Sequence, residues 1–181
     1  MDEKRIHEML ETAHAKFKEG RLKQALQFYE QVLKKEANLE AMLESGRVLL
    51  ELKEFEKAKE RFEHGAKIQD ESNNTLNVIY PFNYFAAIAT INENNEKKDG
   101  RKIEETTCLE KVENLIRKSI RENEEFDEDE RLFLLATILI KEGKFEPALN
   151  ELRKISHNFE RKKEAIRLAA FCLELIKKKR T

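Results

Sequence analysis

Residues that interrupt helices are scarce in this chain of 181 amino acids, which has 5 glycines and 2 prolines. Tryptophan is absent. Glycine and proline are the least favourable residues in helix interiors, whereas Glu, Lys, Leu and Ala, which are abundant here, favour helices. This composition is typical of a protein that is helical almost throughout. It leaves little room for the glycine-rich and proline-rich turns that join short strands.

Cysteine is also scarce, because the chain holds only Cys108 and Cys172. The two lie far apart and inside helical patterns, which excludes a disulfide framework and indicates a reducing compartment. The N-terminal stretch MDEKRIHEML is charged from its second residue and lacks the apolar core of a signal peptide. We therefore expect a cytoplasmic protein. The basic run of Lys177, Lys178, Lys179 and Arg180 raises a nuclear location as the alternative.

Long apolar runs and a net charge of either sign are lacking too. No apolar run approaches the ~20 residues that cross a membrane. The longest, Leu132–Ile140, is interrupted by Thr137 and suits a buried helix. Charged residues make up 39% of the chain, yet the formal net charge is −1. No overall electrostatic field therefore attracts nucleic acid or a membrane surface.

The sequence contains one short motif three times, which we call the repeated phrase. The phrase opens at three turn positions: Gly20, Lys53 and Gly143. An aromatic residue or leucine follows each turn, then an alanine, then a large apolar residue. Ala58 follows Ala25 by 33 residues, and Phe62 follows Tyr29 by the same interval. Apolar residues recur at intervals of three and four on both sides of each turn, which predicts a hairpin of two amphipathic helices.

This hairpin resembles the tetratricopeptide repeat, which has a period of about 34 residues. Its signature is a small residue in the first helix, then alanine and an aromatic residue in the second. The matching trios are Ala13, Ala25 and Tyr29; Gly46, Ala58 and Phe62; and Ala136, Ala148 and Leu152. The signature tryptophan and the closing proline are absent. The resemblance implies an all-α, right-handed superhelical solenoid of about four helix pairs plus a C-terminal capping helix.

We predict a single domain over residues 1–181. Its parts are repeats at about 6–38, 39–72, 78–122 and 129–160, and a capping helix at 161–179. The third repeat should contain a helix from Pro81 to about Asn92, followed by an exposed insertion at 92–102. Asp127 and Glu130 form a capping box that opens the next helix. The capping helix should bury one apolar stripe and present a polar outer face; the stripe is Ile166, Leu168, Ala169, Cys172, Leu173 and Ile176.

In tetratricopeptide arrays the first helix of each repeat lines a concave groove, and segments of partner proteins bind there. Carried onto this sequence, the resemblance implies a groove lined by Leu10, His14, Phe17, Leu43, Arg47, Leu50, Asn83, Tyr84, Phe133 and Thr137. We expect its apolar members to anchor a protein or peptide segment. The other explanation for these apolar residues is that the insertion or the capping helix covers them.

The resemblance thus predicts a protein–protein interaction adaptor or co-chaperone. Some tetratricopeptide domains grip the C-terminal carboxylate of heat-shock chaperones with a lysine and two asparagines. Leu10, His14 and Glu44 stand at those positions here. A carboxylate at the third position would repel the carboxylate of such a tail, so this tail is not the expected ligand.

Patterns that mark catalytic or metal sites are lacking. No glycine-rich phosphate loop, GxSxG or HExxH motif occurs. His7 and His14 are seven residues apart, whereas helical metal pairs use a spacing of about four. No base is marked as a partner for Cys108 or Cys172. We therefore predict no cofactor and no metal, and an enzyme is the least favoured class.

Two charged runs keep other functions open. Glu122–Glu130 holds seven acids in nine residues, which indicates a solvated linker or, less simply, a dock for a basic partner. The basic C-terminal helix carries the alternative function, a nucleic-acid-associated subunit. A steep dependence of RNA or DNA binding on salt would distinguish that class from an adaptor.

Overall fold

The computed structural model describes residues 3–72, 79–96, 102–124 and 126–180. All regular secondary structure within these ranges is helical. The helices are α1 (Glu3–Lys18), α2 (Leu22–Leu33), α3 (Leu39–Glu51), α4 (Phe55–Glu71), α5 (Phe82–Glu96), α6 (Lys102–Arg121), α7 (Glu128–Lys141), α8 (Phe145–Lys154) and α9 (Lys162–Arg180). The predicted all-α fold class is confirmed. No helix within the described ranges is both long and apolar enough to cross a membrane.

The helices form two compact units, Met1–Lys97 (unit 1) and Lys98–Thr181 (unit 2). In unit 1, each of α1 to α4 packs against the helix that follows it, and α3 also touches α5. In unit 2, each of α6 to α8 likewise packs against the helix that follows it. Packing between successive helices is what a stack of helical repeats requires, because each hairpin buries its apolar faces against its neighbours.

Four helices end in the same hydrogen-bonded turn. At the end of α1, the Gly20 N–H donates to the Phe17 carbonyl and the Arg21 N–H donates to the Lys16 carbonyl, both at 2.9 Å. This pair of bonds is the Schellman motif, which needs a residue with positive φ at the turn. The same pair closes α3, α6 and α7. The turn residues and their φ angles are Gly20 (73°), Lys53 (61°), Asn123 (51°) and Gly143 (74°).

Lys53 is the turn residue whose side chain fits this conformation least well. A residue with a Cβ atom is strained at positive φ, while glycine is not, and asparagine is tolerated better than lysine. We expect Lys53→Gly to raise the free energy of unfolding by about 0.5–1 kcal/mol, as measured by urea denaturation. Lys53→Ala is the matched control, because it removes the same charge but keeps the Cβ. Equal stability of the two variants would contradict this assignment of strain.

Small residues lie where neighbouring helices approach most closely. Ala25 and Ala58 are fully buried, as expected from their recurrence. A Cβ atom added to Gly46 of α3 would lie 2.3 Å from the Phe62 ring of α4. One added to Gly65 of α4 would lie 2.3 Å from the Phe82 ring of α5. In unit 1, glycine therefore lets an aromatic ring of the following helix sit directly on the backbone.

Helix α5 continues to Glu96, past the end predicted near Asn92, so residues 92–96 of the predicted insertion are helical. Glutamate favours helices, and asparagine is a weak helix former but not a helix breaker. In addition, the Glu93 carboxylate lies 2.5 Å from Lys59 Nζ of α4, which fixes this last turn against its neighbour. Residues 97–101 of the predicted insertion lie outside the described residues.

The start of α7 agrees with the sequence pattern. The Asp127 carboxylate accepts hydrogen bonds from the backbone N–H groups of Asp129 (2.8 Å) and Glu130 (3.2 Å). This N-cap satisfies donors that the first turn of a helix leaves without partners. The Asp129 carboxylate in turn accepts hydrogen bonds from the Ser156 N–H and hydroxyl, which joins the start of α7 to the end of α8.

The capping helix α9 differs from the prediction. Ala165 and Cys172 are buried in its packing face, but Ile166 and Leu173 are 57% and 41% exposed. The predicted stripe merged two faces of the helix, because apolar residues recur on both. The prediction of a polar outer face is therefore wrong.

Candidate functional site

Arg47 joins three helices of unit 1, namely α1, α3 and α5. Its guanidinium carbon lies 5.8 Å from the centre of the Phe17 ring of α1 and 5.8 Å from that of Phe85 of α5. Guanidinium Nη1 is 2.8 Å from a carboxylate oxygen of Glu44, one turn earlier on α3. The Arg47 side chain is 44% exposed. A cation is thus held beside two rings while part of it stays open to solvent. We call Phe17, Glu44, Arg47 and Phe85 the Arg47 cluster.

A buried phenol lies close to this cluster. Tyr29 of α2 is fully buried, and its hydroxyl has no hydrogen-bond partner among the described residues. Burial raises the pKa of Tyr29 far above its usual value, and the nearby Glu44 and Glu40 carboxylates raise it further. The phenol therefore keeps its proton and remains a hydrogen-bond donor at any physiological pH.

His14 connects the phenol to α3. Its ring meets the Tyr29 ring edge-on, with centroids 5.7 Å apart. His14 Nε2 lies 3.6 Å from a carboxylate oxygen of Glu40, whose side chain is 44% exposed. The imidazole and this carboxylate join α1 to α3 at the surface. Unit 1 therefore presents two polar groupings from α1 and α3, one at His14 and one at Arg47.

The predicted groove residues of unit 1 fall into two groups that differ in solvent exposure. Those that remain partly or fully exposed are His14, Phe17, Arg47 and Leu50. Those that are buried are Leu10, Leu43, Asn83 and Tyr84. The buried apolar members are therefore not the open anchors that the sequence led us to expect. Leu43 is 8% exposed on α3, which packs against α2, α4 and α5. Tyr84 packs edge-on against Phe85 with ring centroids 5.3 Å apart.

The two predicted groove residues of unit 2 lie on α7. Phe133 is buried, since the Arg161 guanidinium lies 4.1 Å from its ring centre and the Phe159 ring packs against it at 5.7 Å. Thr137 is half-buried, and its hydroxyl donates to the Phe133 carbonyl at 2.9 Å. The predicted anchor Phe133 is thus covered by the segment that leads into α9.

Phe85 and Glu40 are the members of this site that sequence reasoning missed. The 33-residue interval is lost after the second hairpin, so the rotation of α5 could not be carried over from α1 and α3. One signal was available: Phe85 follows Phe82 by three residues, and residues three apart lie on neighbouring parts of one helix face. The Phe62 ring of α4 stacks on Phe85 at 5.5 Å, which holds Phe85 beside Arg47.

The described part of the chain holds no cluster suited to a metal ion, and the Cys172 thiol is not activated. No three His, Cys, Asp or Glu residues there are arranged to hold a metal ion. Cys172 is buried, and burial raises the pKa of its thiol, which disfavours the reactive thiolate.

The fold is that of a helical-repeat protein, and solved structures resemble it over most of the chain. YrrB, described as a TPR protein with an unusual peptide-binding site, has a TM-score of 0.66 and 15% identity, over 93% of this chain and 76% of that one. A crystal structure of MamA has a TM-score of 0.64 and 15% identity, over 96% and 88%. MamA from Desulfovibrio magneticus RS-1 has a TM-score of 0.63 and 16% identity, over 83% and 73%.

The family model for the tetratricopeptide repeat matches residues 16–74, from the end of α1 to just beyond α4. Over this segment the chain resembles the tetratricopeptide-repeat family, and the chain shares its fold with the tetratricopeptide protein YrrB. The recognition made from the repeated phrase is confirmed. No curated protein matches the sequence.

Proposed function

We propose that this protein is an adaptor or co-chaperone that holds a segment of a partner protein on the face formed by α1, α3 and α5 of unit 1. The observation that carries the proposal is the Arg47 cluster. Three helices contribute side chains to it, two of them from α3, and Arg47 stays 44% exposed. Arginine and aromatic residues are the types that most often dominate the affinity of protein interfaces.

The cluster suits a peptide because its arginine is already ordered. Stacking beside Phe17 and Phe85 restricts the rotamers of Arg47, so less conformational entropy is lost when a ligand binds. The donors of Arg47 that do not face Glu44 can bond to backbone carbonyls or to an acidic side chain of the segment. Phe17 and the half-buried Leu50 offer apolar contact beside it.

The predicted groove residues take two roles in this proposal. His14, Phe17, Arg47 and Leu50 contact the segment, while Leu10, Leu43, Asn83 and Tyr84 form the floor that supports them. In unit 2, Thr137 and the covered Phe133 belong to the corresponding face of α7. The resemblance to YrrB, which is described as having a peptide-binding site, supports a peptide ligand. The residues at the carboxylate-clamp positions, Leu10, His14 and Glu44, favour a ligand other than a chaperone tail.

We expect Arg47→Ala to weaken partner binding at least tenfold, because it removes both the stacked cation and its hydrogen-bond donors. The full chain, immobilised, would capture partners from a lysate, and the recovered partner would then be titrated by calorimetry. Arg153→Ala on α8 is the matched control, since it also removes an exposed arginine but from unit 2 instead of unit 1. Circular dichroism would first show that both variants are folded.

The opposite pattern would contradict the proposal. If Arg47→Ala and Phe17→Ala retain every partner, unit 1 does not bind through this face. If charge reversal at Lys177, Lys178 and Lys179 instead abolishes a steeply salt-dependent binding to RNA or DNA, the nucleic-acid alternative takes its place.

A further inference from the structure

A second surface, on α9 of unit 2, has apolar residues that the fold does not use. The large apolar side chains exposed in the described part of the chain are Ile166, Phe171 and Leu173, and all three belong to α9. Phe171 is edge-on to the Phe145 ring of α8, at 6.3 Å between centroids, so it belongs to the packing with α8. Ile166 and Leu173 are 57% and 41% exposed.

These two residues belong to a regular seam. Lys163, Ile166, Ala170, Leu173 and Lys177 follow one another at intervals of three, four, three and four. This alternation places side chains in one line along a helix, and it is the spacing by which one helix receives another lengthwise. The packing face of α9, with the buried Ala165 and Cys172, is a different side of the helix. The seam is therefore free to receive another helix.

The charges on the seam select the kind of helix that fits. Lys163 and Lys177 close its two ends, and Arg167 lies beside its middle. No hydrogen bond or ion pair to these three cations is seen within the described residues. The acids of α9 are already engaged: Glu164 bonds to Arg161 at 2.9 Å, and Glu174 lies 2.8 Å from Lys178 Nζ. A partner with carboxylates facing the two ends would neutralise cations that this chain leaves unpaired.

The same charges argue against a second copy of this chain. Parallel pairing of two α9 seams places Lys163 against Lys163 and Lys177 against Lys177, and antiparallel pairing places Lys163 against Lys177. Lysines facing each other across a helix pair repel in both arrangements. No other helix in the described ranges exposes a large apolar side chain that could serve as the counterpart.

We propose that the seam of α9 binds an acidic amphipathic α-helix of a partner protein. The occupant has leucine-like residues at its central seam positions, opposite Ile166, Ala170 and Leu173, and Glu or Asp at its ends, opposite Lys163 and Lys177. The small Ala170 leaves space for a large apolar side chain of the partner. This surface lies in unit 2 and does not depend on the Arg47 cluster.

The test uses two synthetic helical peptides that differ only at the ends of their seam. The acidic peptide carries Glu at both end positions and Leu at the three central ones, and the inverted peptide carries Lys in place of each Glu. Binding to the full chain is followed by fluorescence anisotropy. We expect the acidic peptide to bind at least tenfold more tightly than the inverted one. Leu173→Glu and Ile166→Glu should each abolish binding, because each places a carboxylate in the apolar centre of the seam. Both residues are already exposed, so neither change should disturb the fold.

Charge exchange makes the test specific. The double variant Lys163→Glu, Lys177→Glu should reverse the preference and bind the inverted peptide more tightly. Lys23→Glu with Lys34→Glu in unit 1 is the matched control, and it should leave the preference unchanged. Arg47→Ala should also have no effect, which separates this proposal from the one for unit 1.

Four results would overturn the proposal. The first is equal binding of both peptides. The second is failure of the acidic peptide to bind, with Ile166-dependent binding to anionic phosphatidylserine vesicles in its place. The third is binding to single-stranded RNA that is lost in the double lysine variant while the acidic peptide does not bind. The fourth is a dimer, seen by analytical ultracentrifugation, that Leu173→Glu dissociates.

Discussion

Replacing Arg131 with alanine is expected to lower the free energy of unfolding by about 3 kcal/mol. Arg131 of α7 is 2% exposed, and its Nη1 donates to the Ser119 carbonyl of α6 at 2.8 Å. The same carbonyl accepts the Glu124 N–H at 3.2 Å in the turn that closes α6. The guanidinium therefore joins α7 to the turn that brings the chain into it. Alanine would leave a cavity the size of a long side chain and remove a donor from this carbonyl.

Two further variants separate packing from hydrogen bonding at this position. Arg131→Met keeps most of the side-chain volume without the donors, so we expect it to lose about half as much stability. Arg153→Ala on α8 removes an exposed arginine and should change the free energy of unfolding by less than about 0.5 kcal/mol. Urea denaturation gives these values, and hydrogen exchange of the α6 and α7 amides shows whether the loss is local to unit 2. An effect of Arg131→Ala no larger than that of Arg153→Ala would contradict the buried role.

The turns of this fold could be predicted well, because they depend on local backbone geometry. Gly20 and Gly143 marked two of the four Schellman turns seen in the described residues, and Lys53 was recognised from its place in the repeated phrase. Asn123 was not recognised, since the residues around it lack the alanine and aromatic that complete the phrase. Arg131 was missed for a different reason. Arginine is rarely fully buried, so sequence reasoning assigns it to the surface.

The face that carries the candidate site was only partly predictable. The helical period predicted one shared face for Phe17 of α1 and Arg47 of α3, and the Arg47 guanidinium carbon lies 5.8 Å from the centre of the Phe17 ring. Whether a side chain on such a face is open depends on the helices packed around it, and a period contains no information about them. Leu43 and Tyr84 are buried for that reason. The position of Phe85 could not be predicted, because the repeat interval is broken before α5.

In α9, residues that were expected to be buried are exposed, again because a helical period does not show which helices pack around a face. The apolar residues of this helix recur on two faces, and hydrophobic periodicity alone could not tell which face packs against α8. The sequence therefore led to one buried stripe that included Ile166 and Leu173. In the structure these residues form a line that is separate from Ala165 and Cys172. The α9 proposal is based on these apolar residues, which follow a helical period but are not buried by the fold.

Replacing Gly46 with alanine is the second substitution from which we expect a large effect, a loss of about 2 kcal/mol in the free energy of unfolding. A Cβ atom at this position would lie 2.3 and 2.6 Å from two carbons of the Phe62 ring, much closer than carbon atoms pack. The ring cannot move aside easily, because Phe62 is fully buried and stacks on Phe85 at 5.5 Å. Overpacking of this kind costs about 1–3 kcal/mol and exceeds the ~1 kcal/mol that alanine gains over glycine in a helix.

A second substitution tests whether the Phe62 ring causes the loss. Phe62→Leu alone should be destabilising, because it leaves a cavity, but in the Gly46→Ala background it should cost less, since the smaller side chain makes room for the new methyl group. The double-mutant cycle, measured by urea denaturation, should give a coupling of about 1 kcal/mol. Glu51→Ala on the exposed part of α3 is the control for a simple change in helix propensity. Additive effects of the two core substitutions, or a Gly46→Ala protein as stable as the wild type, would show that the glycine is not required for the approach of α4 to α3.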